Sequence, residues 1–94
     1  MKLQGQIKVV KDTQVVSDKF QKRECVISIQ DGNYTNDILV EFNNAQCSLL
    51  DNIQVNELVE IDVNLKGREW INPQGEAKYF NTINGWKITY LMLA

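Results

Sequence analysis

Residues 59–66 read Val-Glu-Ile-Asp-Val-Asn-Leu-Lys, an unbroken alternation of apolar and polar side chains. Side chains of a β-strand point alternately to its two faces, so this period of two predicts a strand with one face in a core. Shorter versions of the pattern occur at residues 3–9, 25–29 and 38–42. Their β-branched residues also favour strands. The sequence therefore predicts a chain built mainly from half-buried strands.

Turn-forming residues separate the strands. Asp31-Gly32-Asn33 is typical of a hairpin turn between the second and third strands. Asn72-Pro73-Gln74-Gly75 places Pro and Gly as a type I turn prefers. This second turn joins a strand that ends near Trp70 to one that begins near Lys78. The last strand continues to about residue 91.

Three glycines have expected roles in the strands. Gly5 in the first strand and Gly67 in the fourth permit the sharp bending that closes a small barrel. The alternation of the last strand becomes irregular around Gly85, which predicts a bulge or a bend there.

One segment departs from the period of two. Asn43 can cap a helix, and Ala45, Leu49 and Leu50 follow at roughly helical spacing, which predicts a short helix of about two turns. Five strands with one helix between the third and fourth is the element order of the OB-fold, a partly open Greek-key barrel. An SH3-like barrel is the alternative, and it accommodates the helix less well. We expect residues 1–94 to form a single OB-fold domain.

Composition excludes several classes of protein. The 94 residues are 44% hydrophobic and 23% charged, which is typical of a globular chain. There is no histidine, so Ser-His and Cys-His nucleophile pairs are excluded, and Cys25 and Cys47 alone are too few for a usual zinc site. We expect two reduced, buried thiols, no cofactor, no metal and no enzymatic activity. No apolar run approaches the roughly 20 residues of a membrane helix, and the first residues lack the apolar core of a signal peptide. We therefore expect a cytoplasmic protein without membrane contact.

Charge is distributed unevenly along the chain. The net charge is −2, yet residues 31–62 contain seven acids and no Lys or Arg. All 10 basic residues lie outside that segment, so one surface of the folded chain is expected to be positive. The alternative is that the signs merely cluster on solvated strand faces.

The basic residues fall where an OB barrel usually binds its ligands, across the second and third strands and between the adjoining loops. Aromatic residues alternate with them. A single strand of nucleic acid offers unpaired bases to stack and phosphates to neutralise, so it needs both kinds of partner. The predicted phosphate contacts are Lys22, Arg23, Lys66, Arg68 and Lys78, and the predicted stacking residues are Phe20, Tyr34, Trp70 and Tyr79.

Each aromatic residue also has a structural alternative. Trp70 and Tyr79 could form a cross-strand aromatic pair that stabilises the hairpin. Phe20 could pack in the core at the start of the second strand, and Tyr34 could be an ordinary loop residue. Core packing is the expectation for three residues that share phase with aliphatic neighbours: Phe42, Phe80 and Trp86.

The C-terminal part of the chain resembles the signature of a bacterial family of small OB-fold proteins. The resemblance rests on Gly67-Arg68-Glu69-Trp70, Tyr79-Phe80-Asn81 and Trp86-Lys87-Ile88, and more weakly on Gly5 and the run Phe20–Glu24. That family is grouped with single-stranded-DNA-binding proteins, and bacteriophages carry comparable small binders. The resemblance therefore implies a role in DNA replication, recombination or repair.

The predicted function is non-enzymatic binding of single-stranded DNA with weak sequence selectivity. The alternative is an OB-fold protein–protein adaptor or assembly subunit that uses the acidic segment as its partner surface. Replication or recombination proteins and further copies of the chain are the candidate protein partners. The apolar stretch 90–93 is a candidate subunit contact, or else a last strand packed on its own core.

Overall fold

The computed structural model describes residues 1–91. These residues form six strands and one short helix. In chain order they are β1 (Lys2–Val10), β2 (Gln14–Ser17), β3 (Phe20–Asp31), β4 (Tyr34–Asn43), a 3-10 helix (Asn44–Leu50), β5 (Leu58–Ile71) and β6 (Ala77–Tyr90). Part of the predicted apolar subunit contact, Met92 and Leu93, lies outside the described residues.

The five long strands close into a barrel. β1 pairs antiparallel with β5 through its first half and with β3 through its second half. Antiparallel hairpins join β3 to β4 and β5 to β6, and a parallel pairing of Glu41 with Asn84 brings β4 against β6. This arrangement confirms the predicted five-stranded OB-fold barrel with a short helix between the third and fourth barrel strands. The helix is a 3-10 helix, and Asn43 makes no capping hydrogen bond with its side chain.

The sequence did not predict β2, a four-residue strand that pairs with the start of β3 at the outer edge of the sheet. All four of its residues are exposed. Because β2 buries neither face, its sequence lacks the alternation that identifies a half-buried strand. It therefore extends the loop between β1 and β3 as a small hairpin.

The core contains the apolar residues that the alternation assigns to the inner faces of the strands. The fully buried side chains are Ile7, Cys25, Ile27, Val40, Phe42, Leu50, Val59, Ile61 and Val63. Leu50 comes from the 3-10 helix, which covers part of the core. Both cysteines are free and buried, as predicted, and burial raises the pKa of the Cys25 thiol to about 12. Within the described residues, no helix has the length and apolar character needed to cross a membrane.

Two glycines permit close packing in the barrel wall. A Cβ atom on Gly5 would collide with the backbone carbonyl oxygen of Ser28. A Cβ atom on Gly85 would lie 2.5 Å from the ring of Phe42, and the β5–β6 register shifts beside this glycine, which confirms the predicted bulge. Gly67 lies in an exposed part of β5 beyond the buried segment, so it takes no part in closing the barrel.

Candidate nucleic-acid interface

Beyond the barrel, the ends of β5 and β6 project as a hairpin. Residues 64–71 and 77–81 are exposed on both faces. The turn at its tip is held by Asn72, whose carbonyl oxygen accepts from the Gly75 amide at 2.9 Å, as expected for the predicted turn. The side-chain oxygen of Asn72 accepts two further backbone amides, those of Gln74 and Glu76. The hairpin is therefore ordered by its own hydrogen bonds.

The two faces of this hairpin carry different chemistry. Directly paired residues lie on the same face of a sheet, and successive residues lie on opposite faces. Lys66 pairs with Thr82, Arg68 with Phe80 and Trp70 with Lys78. We call the face formed by Lys66, Arg68, Trp70, Lys78, Phe80 and Thr82 the cationic face.

Positive charge on the cationic face is not neutralised internally. Among the described residues, no carboxylate comes within ion-pair distance of Lys66, Arg68 or Lys78. The Arg68 guanidinium lies over the ring of Phe80, 5.3 Å from its centroid, and Trp70 remains 44% exposed. Cations and flat aromatic rings are therefore accessible on one surface.

The opposite face of the hairpin is mostly apolar. It consists of Leu65, Gly67, Glu69, Ile71, Ala77, Tyr79, Asn81 and Ile83, and we call it the apolar face. Tyr79 pairs with Glu69 on this face and is 71% exposed. The suggested cross-strand pair of Trp70 with Tyr79 is therefore wrong, because Trp70 pairs with Lys78. The structure separates Tyr79 from the other hairpin residues of the predicted site.

The site residues predicted on β3 and β4 do not join the cationic face. Phe20 is half-buried beside β2 at the start of β3, whereas exposed Tyr34 lies at the other end of the β3–β4 hairpin. Lys22 forms an ion pair with Glu41 at 3.9 Å.

Arg23 already has structural partners. Its Nε donates to the Lys11 carbonyl and one terminal nitrogen donates to Asp51, both at 2.7 Å. Its side chain is only 15% exposed. A phosphate contact by Arg23 stays a prediction, but these bonds would have to break or be shared for it to form.

Two aromatic residues expected in the core are exposed. Phe80 is 46% exposed on the cationic face, and Trp86 is 49% exposed at the bulge, whereas Phe42 is buried as predicted. The core prediction was wrong for Phe80 because the projecting hairpin has no core on either side. It was wrong for Trp86 because the bulge inserts this residue between Gly85 and Lys87, which keep their partners on β5.

Ion pairs cover the outer surface of the barrel next to the hairpin. They are Lys8–Asp37 at 2.7 Å, Lys11–Glu24 at 3.7 Å and Lys22–Glu41 at 3.9 Å. Hydrogen bonds from Lys8 and Ser28 lower the pKa of Asp37, so its charge is firmly established. The outer surface of β1, β3 and β4 is therefore close to neutral, in contrast to the cationic face.

Two cavities lie where the hairpin leaves the barrel. A cavity of about 300 Å³ is lined by Glu41, Lys66, Gly67, Arg68, Phe80 and Thr82. A larger one, of about 670 Å³, lies alongside between β4 and the hairpin; it shares Glu41, Lys66 and Thr82 with the first and adds Glu24, Asp37, Ile38, Leu39, Leu65, Asn81 and Ile83. Within residues 1–91, no group of three or more acidic or cysteine side chains is arranged to hold a metal ion.

Comparison with solved structures shows the same fold. Two crystal structures of Rim1, the mitochondrial single-stranded DNA binding protein of S. cerevisiae, match at 17% sequence identity over 97% of this chain and 92% of theirs. The TM-score is 0.71 for one and 0.61 for the selenomethionine-labelled protein. At this identity the likeness establishes the OB-fold that both proteins share. No curated protein sequence matches the chain.

A family of protein domains matches almost the entire sequence. The match covers residues 2–89, from the start of β1 to the last residues of β6. It therefore includes the barrel, the 3-10 helix and the whole projecting hairpin. The chain belongs to the family described as Domain of unknown function (DUF3127).

Proposed function

We propose that this chain binds single-stranded DNA on the cationic face, without enzymatic activity and with weak sequence selectivity. The observation that carries the proposal is the combination of three unpaired cations with two exposed aromatic rings on one side of the hairpin. The fold shared with Rim1, which is described as a single-stranded DNA binding protein, supports it.

Each component of a single strand has a partner on this face. Lys66, Arg68 and Lys78 would contact phosphates, and Trp70 and Phe80 would stack on bases. One base–aromatic stack contributes roughly 1–3 kcal/mol whichever base is present, so binding of this kind tolerates most sequences. From Lys66 to Trp70 the strand rises about 13 Å, which spans about four nucleotides at stacked spacing.

The proposal also covers the process, the compartment and the partners of the chain. We place the chain in DNA replication, recombination or repair, in the cytoplasm, with replication or recombination proteins and further copies of itself as partners. A non-enzymatic role is supported by the sequence, which has no histidine, and by the burial of both thiols. Burial raises the pKa of both cysteines and so disfavours the reactive thiolate.

A protein–protein adaptor is the second candidate, and the apolar face favours it. Leu65, Ile71 and Tyr79 are large and well exposed on that face, as at many protein contact surfaces. The acidic segment, which the sequence suggested as the partner surface, is less suitable because Asp37 and Glu41 are already paired with lysines.

Tryptophan fluorescence tests DNA binding directly. In a Trp86→Phe background, Trp70 is the remaining tryptophan, and titration with a 15-residue oligo-dT at low salt should quench its emission. The double variant Arg68→Glu, Lys78→Glu should abolish the quenching, whereas Lys19→Glu, an exposed change in the β2–β3 turn, should preserve most of it. Unchanged emission and anisotropy at micromolar protein would refute the proposal.

A further inference from the structure

We propose that the 300 Å³ cavity at the base of the cationic face is a subsite for one nucleobase and that it selects guanine. This inference rests on the proposed function and adds a single position of base selectivity to an otherwise sequence-tolerant surface. Small-molecule pockets are typically about 300–1,000 Å³, so this cavity suits one nucleoside rather than several.

The walls of the cavity provide both stacking and polar contacts. The Phe80 ring forms one wall, with the Arg68 guanidinium over it. Gly67 contributes backbone to the lining, since a Cβ atom there would point to the opposite face of the hairpin, towards Asn81. The residues of the lining that carry polar side chains are Glu41, Lys66, Arg68 and Thr82.

Glu41 is held in place from the barrel side. Lys22 lies 3.9 Å from one carboxylate oxygen, and Asn43 donates its amide to the other at 2.9 Å when that amide is oriented to satisfy its neighbours. The side chain is 19% exposed, so its rotamer is restricted while some acceptor capacity remains. A positioned acceptor of this kind can discriminate between the edges of different bases.

Guanine matches these groups best. Its N1–H and N2–H groups are adjacent donors that one carboxylate can accept together, and its neighbouring O6 is an acceptor for Lys66 or Thr82. Thymine presents a single N–H flanked by two carbonyl oxygens, which would face the carboxylate oxygens of Glu41 unfavourably. Adenine lacks the second adjacent donor on this edge. The cavity therefore favours guanine and disfavours thymine.

A comparison of the affinities of four oligonucleotides that differ in base composition tests this subsite. Fluorescein-labelled 14-mers of dT alone and of alternating dT-dG, dT-dC and dT-dA are titrated by anisotropy in lithium chloride, which avoids quadruplex formation. We expect the dT-dG oligomer to bind about fivefold more tightly than dT, the lower end of what one bidentate base contact provides, because the cavity is open to solvent. Glu41→Gln should reduce this ratio to below twofold.

Glu60→Gln is the matched control, since it removes the same charge from β5 at a carboxylate paired with Lys2 rather than lining the cavity. It should leave the ratio unchanged. Thermal unfolding checks that the Glu41→Gln variant folds. If that variant does not fold, Lys66→Gln replaces it, because Lys66 is exposed and its loss should also lower the ratio of the two affinities. Tight binding of all four oligomers with equal affinity would overturn the subsite alone, as would a guanine preference that survives Glu41→Gln. Absence of binding to every oligomer would instead overturn the proposed function.

Discussion

Salt dependence measures how many phosphates the cationic face neutralises. Each cation that replaces a condensed counterion on single-stranded DNA contributes about −0.7 to the slope of log K against log salt. Three contacts, from Lys66, Arg68 and Lys78, therefore give a slope of about −2. Between 50 and 200 mM salt, the affinity of the unaltered protein for oligo-dT should fall by about 20-fold.

The triple variant Lys66→Gln, Arg68→Gln, Lys78→Gln removes these contacts while keeping the side chains long and polar. Its slope should be close to zero, and its residual binding should come from stacking on Trp70 and Phe80. Lys19→Gln, outside the hairpin, should keep the slope near −2. Anisotropy titrations at four salt concentrations measure both slopes. A triple variant that retains a slope steeper than −1 would show that phosphates are bound elsewhere on the molecule.

Three further predictions concern the barrel. Gly85→Ala should destabilise the fold by about 1–3 kcal/mol in urea unfolding, because its Cβ would overlap the ring of Phe42; an unchanged midpoint would contradict the packing described. Arg23→Met should cost about 1–2 kcal/mol in urea unfolding by removing the bond to Asp51, and an unchanged midpoint would contradict that structural role; the oligo-dT affinity of the same variant tests the predicted phosphate contact of Arg23. Burial raises the pKa of the Cys25 thiol from about 9 in the unfolded chain to about 12. The buried neutral thiol therefore contributes its full stabilisation below pH 9, and this stabilisation is lost as the pH rises towards 12. Cys25→Val should flatten the alkaline part of a plot of unfolding free energy against pH.

The barrel was predictable because its strands bury one face each. The alternation at residues 59–63 and the buried partners on β1, β3 and β4 follow directly from that requirement. Gly32, with a φ of 60° at the first position of a two-residue loop, fits the hairpin turn inferred from its sequence. β2 was not predicted because both of its faces are exposed to solvent, and apolar and polar residues alternate only in a strand that buries one face.

The pairing of the hairpin could not be predicted with the same certainty. A four-residue loop after Asn72 would place Trp70 opposite Tyr79, whereas the observed five-residue loop from Asn72 to Glu76 places it opposite Lys78. Since side chains alternate between faces, a register shift of one residue in one strand changes every cross-strand pair of the hairpin. The alternate spacing of Lys66, Arg68 and Trp70 was visible in the sequence, but only the register adds Phe80 to the same face.

Clustering of signs along a sequence does not by itself define a positive surface. The outer surface of the barrel carries Lys22 on β3 and, from β1 and the residue after it, Lys8 and Lys11, yet each lies beside a carboxylate of β3 or β4. Such exposed pairs contribute little to stability, about 0–1 kcal/mol each, but they remove the net charge that would attract a phosphate backbone. On the hairpin, by contrast, three cations without ion-pair partners among the described residues lie beside exposed rings, so the proposed binding of a polyanion relies on the segment that extends beyond the barrel rather than on the barrel wall.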